Sequence, residues 1–425
     1  MKSRKTDTAG AGGRDRHSRL AHAVAAGLLV FVVHAVSPVS QSGDSRWAVP
    51  VMESLLHRGD VDLDEFVAQW TTAGLYTIDC AGPGGALVQA QMGGCPELFH
   101  AYPRYPIATP VLAFPLFVVI DRLAPMLPGW TPGLELLSQR NYSQSFRVVE
   151  IFIASALMGL CAVFVFLTIP GREAAWLWTL AFGFGTSAWS TASRAMWSHG
   201  MSMLCLAAAL YFLTGGRRRV VLAGVLLGLA VWNRPLHAIP LVCFAVWLRR
   251  DGWRLLAGAA AASIPFAVYC LTIYRLPVQP YMLSPGAFVW DTGRALGVFA
   301  GQLVSPGRGL LVYSPFLVLC AAGAASLWKR ERGLVTAIGT WFVLHAAAIS
   351  FFADWTGGMA FGPRYWSDFL PGAMILLGPV RPARKWFYVL IVWAVFLHGR
   401  GAWDVRTQAP GDVWDWRRVL VGRVE

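Results

Sequence analysis

Charge is what this chain has least of: only 14% of its 425 residues are Asp, Glu, Lys or Arg, while 56% are apolar. A soluble domain carries about 25% charged residues, so a soluble globular fold is excluded. Nucleotide-binding signatures are missing too, with no P-loop and no Gly-rich turn between strand and helix. There is no His/Cys cluster at zinc spacing and no nucleophile elbow. We therefore expect the donor of any reaction not to be a cytosolic nucleotide. Acidic residues are scarce, 23 against 36 basic ones, giving a net charge of +13.

That surplus of positive charge resembles a nucleic-acid signal until it is mapped. Half of the 36 basic residues fall in five short segments between apolar runs. These hold Lys2, Arg4, Lys5, Arg14, Arg16 and Arg19; Arg217, Arg218 and Arg219; Arg249, Arg250 and Arg254; Lys329, Arg330 and Arg332; and Arg381, Arg384 and Lys385. This is the positive-inside pattern of a membrane protein, and no nucleic-acid partner is expected. The mean hydropathy of +0.50 agrees.

Apolar runs long enough to cross a hydrocarbon core of about 30 Å recur along the chain. We place candidate segments near 20–37, 106–122, 147–169, 174–190, 200–214, 219–232, 236–249, 255–274, 309–327, 334–352, 365–380 and 386–398. The expected fold is all-α, a polytopic bundle of transmembrane helices. The run 20–37 is longer than the usual apolar core of a cleaved signal peptide, so we expect it to stay as the first span. With all basic segments inside, the alternation works from residue 217 onward but fails upstream by one crossing. One segment between 106 and 214 is then not a full crossing, the Pro-bearing 106–122 and the Gly-rich 174–190 being the suspects, and about eleven crossings are expected. The domains follow: a basic cytoplasmic N-terminus (1–19), a membrane domain (20–398) whose first external loop is 38–105, and an external tail (399–425).

The loop 38–105 reverses the chain's charge, with eight carboxylates against three arginines. Cys80 and Cys95 lie in it, on a disulfide-permissive side, and bridged and free readings both stand; the other five cysteines read as small buried apolar groups. Within "GDSRWAVPVMESLLHRGD", Pro50 suits a first helical position and Gly59 a C-terminal cap. This predicts a short helix on the membrane surface with Asp44 and Arg46 in the link before it. Asp60, Asp62 and Asp64 alternate as a divalent-cation site would, but Asp62 and Glu65 also have capping-box spacing. We expect no cofactor, and the cation is the lesser alternative. Asp44 has no such capping role, which leaves it either functional or an interfacial charge that ends the first span.

On the same external side fall "SRAMWSHG" with Arg194 and His199, "WNRP" with Asn233 and Arg234, "SPGRGLLVYSP" with Ser305, Arg308 and Tyr313, and "ADWTGGMAFGPRYWSD" with Asp354, Arg364, Tyr365 and Asp368. Guanidinium forks beside Gly, Pro and helix starts suit a phosphate-bearing ligand. Snorkelling to lipid headgroups is the plainer account of each arginine singly. His199 reads equally as a general acid or base and as a hydrogen-bonding group of the bundle.

The order of "GDSRW", "RGDVDLDEF", "AYPRYPIATPVLAFPLF", "NRP", "SPGRGLLVYSP" and "GMAFGPRYWSDFLP" resembles bacterial GT-C superfamily glycosyltransferases, the mannosyltransferase- and arabinosyltransferase-like integral membrane enzymes, over roughly residues 20–380. The resemblance implies transfer of a hexosyl or pentosyl group from a polyprenyl-phosphate carrier to a glycolipid, polysaccharide or protein acceptor. That transfer is usually inverting and takes place outside the bacterial inner membrane. It implies Asp44 as general base, with Arg46, Arg194, His199, Arg234, Arg308, Arg364 and Tyr365 as substrate-binding residues. The chain departs from the family in lacking an appended soluble domain, and it has His199 where relatives carry a second polar or acidic group. A transporter or flippase of a lipid-linked or anionic solute, or a polysaccharide polymerase or ligase, is the alternative. One-sided charge and the lack of an internal repeat favour the enzyme.

Overall fold

The computed structural model describes residues 7–41, 43–123, 142–215, 218–283, 286–381, 385–404 and 413–417. Lys2, Arg4, Lys5, Arg217, Arg384 and most of the 399–425 tail lie outside the described residues. Among the described residues the fold is mostly helical, as expected, with one small sheet. Four helical stretches among them are long and apolar enough to cross a membrane: His17–Ala35, Phe146–Thr168, Pro235–Tyr274 and Pro315–Ser350. Shorter apolar helices, Ser198–Thr214, Val220–Asn233 and Phe387–Trp403, pack among them.

In chain order the helices that frame the site are α1 (Asp7–Ala35), α2 (Ala48–His57), α3 (Ala108–Leu123), α4 (Tyr142–Thr168), α5 (Arg172–Phe184), α6 (Ser198–Thr214) and α7 (Val220–Asn233). Two contacts fix how α1 lies against α4. Arg19, near the start of the apolar span His17–Ala35 within α1, donates to the carbonyls of Leu167 and Ile169 at the end of α4. Ser45, just past α1, donates to Glu150 in the first half of α4. The two helices are therefore antiparallel, and Gly27 and Gly159 let them touch: a Cβ on either would stand under 3.0 Å from the other's backbone oxygen. The apolar runs 309–327 and 334–352 are joined by helical turns into one stretch, Cys320–Ser350, broken at Glu331 by non-helical backbone. The basic cluster around Lys329 and Arg332 sits at that break.

The first loop is built differently from its sequence reading. Helix α2 starts at Ala48, two residues before Pro50, and its first seven residues are buried against the bundle, where a surface helix was expected. Gly59 does take the left-handed conformation expected of a cap, φ +78°, and its amide reaches the Ser54 carbonyl. The capping box between Asp62 and Glu65 does not form. Asp62 instead accepts from the Asp64 amide, while Glu65 is held by Ser54 and Arg58.

Beyond α2, β1 (Ile78–Ala81) pairs antiparallel with β2 (Leu87–Gln89) on one side and β3 (His100–Pro103) on the other. A disulfide joins Cys80 in β1 to Cys95, 15 residues on, which resolves the two readings left open above. Closing a loop of this length is worth about 3 kcal/mol by chain entropy. Cys80→Ser should therefore lower loop stability by roughly that amount, read as faster limited proteolysis between residues 80 and 100 with the transmembrane fragments unchanged.

Candidate functional site

Three breaks in helical structure bring the site together. The first follows α1. Arg194 is fully buried and donates to the carbonyls of His34, Ser37 and Val39, which pins the chain as it leaves the helix. Ser45 and Trp47 then anchor on Glu150 and Thr77, and Asp44 is presented just before them. The second break is at Arg234. A residue before proline is pushed out of the α region, so α7 ends at Asn233 and Arg234 is extended at φ −152°, ψ 114° ahead of Pro235. The third is "TGGMAFGPR", where Gly357, Gly358 and Gly362 all have φ between +62° and +72°, conformations that only glycine takes without strain. This turn folds Gly357 under Arg364, which donates back to its carbonyl at 3.2 Å.

The result is one cavity of about 700 Å³ whose wall carries Asp44, Arg234, Asp354 and Arg364 as its only charged residues among those described. Arg364 Nη2 lies 2.9 Å from Asp44 Oδ2 and the guanidinium stacks 3.9 Å from the Trp197 ring centroid. Arg234 pairs through Nε with Asp368 Oδ2 at 2.9 Å and stands 5.5 Å from the Tyr365 ring. His199, fully buried, contacts Arg234, Arg364 and Asp368. Aromatic rings of Tyr76, Tyr105, Tyr281, Phe288 and Phe352 complete the wall. Burial and the adjacent Asp44 charge push the Tyr105 hydroxyl well above its usual range, so it stays protonated beside that carboxylate. Tyr76 is raised in the same way, mainly by burial and then by Asp44.

Of the residues singled out from sequence, Asp44, Arg234, Arg364 and Tyr365 line this cavity, and His199 lies directly behind it. Three do not reach it. Arg46 points away, its Nη1 3.1 Å from Thr71 Oγ1 and packed over Gly74, where a Cβ would collide with it. Arg308 supports the wall from outside by donating to the Gly358 carbonyl at 2.7 Å. Arg194 is consumed by the carbonyls past α1. Replacing it with methionine, Arg194→Met, keeps the length but removes the donor to the Ser37 and Val39 carbonyls, while the His34 carbonyl keeps only the Ser37 amide. At about 1–3 kcal/mol for each buried polar group without a partner, thermal melting in detergent should show a loss of at least about 2 kcal/mol.

Sequence reasoning placed Asp354 and Asp368 on the external face without giving either a role, and it passed over Tyr105. Asp368 carried the clearest signal, a carboxylate four residues after Arg364 at the head of the apolar run "FLPGAMILL". Asp62, Asp64 and His100 come together in the loop 38–105 with ligand atoms within 4.8 Å of one another, but His100 is already bonded to Asp64 at 2.6 Å. The adjacency of Ser198 and His199 does not make a nucleophile pair. Ser198 Oγ lies near Arg234 Nη1 at 3.5 Å, and the outward nitrogen of His199 is taken by arginines.

The chain matches no protein-family model, no curated protein and no solved structure. The chemistry of the cavity must therefore carry the functional reading.

Proposed function

We propose that this chain is an integral membrane glycosyltransferase of GT-C type, moving a sugar from a polyprenyl-phosphate carrier to an external acceptor with inversion. The observation that carries the reading is the convergence of Asp44 and two arginines, from segments up to 320 residues apart, on one cavity. In the transfer, Asp44 accepts the proton of the acceptor hydroxyl while that oxygen bonds to the anomeric carbon. The bond from that carbon to the phosphate oxygen breaks, and polyprenyl phosphate leaves as an anion. Arg234 and Arg364 stabilise that charge in a partly dry wall. The aromatic lining suits sugar faces and prenyl chain alike.

The topology we propose has eleven crossings in a bacterial inner membrane, with the N-terminus cytoplasmic. It is supported by the gathering of Arg19 and Arg381 around the turn at Ile169 and Gly171, opposite the end that holds Asp44 and the disulfide. Helix α3 is the segment that does not cross. It begins beside Asn233, through Thr109, at the Asp44 end, and α4 starts from that same end.

Membranes containing the chain should transfer label from at least one polyprenyl-phosphate hexose or pentose to an endogenous glycolipid, polysaccharide or protein. Failure across the whole donor panel, together with movement of a lipid-linked sugar across sealed vesicles, would overturn the enzyme in favour of a flippase.

A further inference from the structure

Two guanidinium groups converge on a single imidazole nitrogen. Arg234 Nη1 and Arg364 Nε each lie 3.1 Å from His199 Nε2. A guanidinium offers only donors, so Nε2 must be the unprotonated acceptor of both. The ring proton then sits on Nδ1, which is 2.9 Å from Asp368 Oδ1. The other oxygen of Asp368 takes Arg234 Nε at 2.9 Å. Neither His199 nor Asp368 has any exposed side-chain surface, so no water competes for these bonds.

We propose that His199 and Asp368 are positioning residues, a buried acceptor pair that aims Arg234 and Arg364 at the phosphate of the ligand, and that His199 is neither acid nor base in the reaction. The proposal rests on the reading of the cavity as a polyprenyl-phosphate site. Three features support it beyond the tautomer. The two arginines come from separate segments, the extended residue after α7 and the turn after Gly362, and His199 and Asp368 are what link them. Each guanidinium is also held by a ring, Trp197 for Arg364 and Tyr365 for Arg234, so the acceptors fix the in-plane rotation that stacking leaves free. Finally, the bonds on Nε and Nη1 leave Arg234 Nη2 without a partner among the described residues, on a side chain that lines the cavity and is 14% exposed. An imidazolium would present a proton to two cations, so the arrangement requires the neutral ring.

Two substitutions separate positioning from proton transfer. His199→Gln keeps an acceptor oxygen and an N–H donor but cannot carry a proton between substrates; His199→Phe keeps only the bulk. For the full chain in detergent, we expect His199→Phe to weaken binding of a short-chain polyprenyl phosphate by about tenfold or more, because misaimed groups cost that much or more. His199→Gln should stay within about threefold of wild type in affinity and leave the pH profile of transfer unchanged. Nitrogen NMR of histidine-labelled protein, assigned with the glutamine variant, should show Nδ1 protonated and Nε2 bare at neutral pH. Wild-type affinity in His199→Phe, equal loss of turnover in both variants with affinity intact, or a protonated Nε2 would each overturn the positioning role. If the wild-type chain binds no polyprenyl phosphate, the reading of the cavity falls, and the phosphate-aiming role with it, whichever tautomer the NMR finds.

Discussion

Membranes carrying Asp44→Asn should transfer labelled sugar at no more than about one hundredth of the wild-type rate, the lower end of what a general base supplies. The substitution is close to isosteric. An amide oxygen can still accept from Arg364 Nη2, which now stands 2.9 Å from the carboxylate, so the cavity wall should keep its shape. The side chain is 31% exposed, and the loop around it is pinned by Ser45, Trp47 and Arg194, none of which changes. Folding and donor affinity should accordingly survive, and the loss should fall on turnover. Asp354→Asn provides the internal comparison, because it alters the other carboxylate of the same wall. Asp354 Oδ1 is occupied by the amide and hydroxyl of Thr356, the geometry of a turn-stabilising side chain. A loss under about tenfold is expected there. Near-wild-type turnover in Asp44→Asn would remove the general base from the scheme, and a deep loss in Asp354→Asn alone would move it to that residue.

How far the site was legible depends on which kind of signal each residue carried. Charge asymmetry and apolar runs placed Asp44, Arg234 and Arg364 on one side, since those signals reflect the membrane itself. Pro235 and the glycines before Arg364 marked where helices stop, because backbone sterics are local. What no local signal encodes is pairing. Asp44 and Arg364 meet across 320 residues, and His199 and Asp368 across 169. Arg194 has the same sequence appearance as a ligand-binding arginine, beside small residues at a helix start, yet it spends its donors on carbonyls left open where α1 ends. The capping box failed for a related reason. Glu65 had the right spacing, but Ser54 and Arg58, brought over by the turn at Gly59, compete for its carboxylate. The expected placement of α2 on the membrane surface failed because its polar residues find room inside the fold. Its Ser54 is satisfied there by Asp60 and Glu65.

Arg364→Ala should cost about 10²- to 10³-fold in turnover, the range for removing one preorganised charge-stabilising donor. Losing the guanidinium removes the cation nearest Asp44 and leaves the departing phosphate to Arg234 alone, in a partly dry wall where charge developing on a leaving group needs preorganised donors. Arg364→Lys discriminates further. A lysine keeps the charge and can pair with Asp44, but its single ammonium cannot span the Gly357 carbonyl, His199 Nε2 and Asp44 at once, as the three guanidinium nitrogens do. It also loses the planar stacking on Trp197. We therefore expect lysine to recover no more than about tenfold of the alanine loss. Full rescue by lysine would mean that Arg364 acts as a point charge, and the fixed fork built by Gly357, Trp197 and His199 would then have no part in turnover. Recovery limited to that range, with donor affinity reduced alongside turnover, is the result that ties phosphate stabilisation to the fork itself.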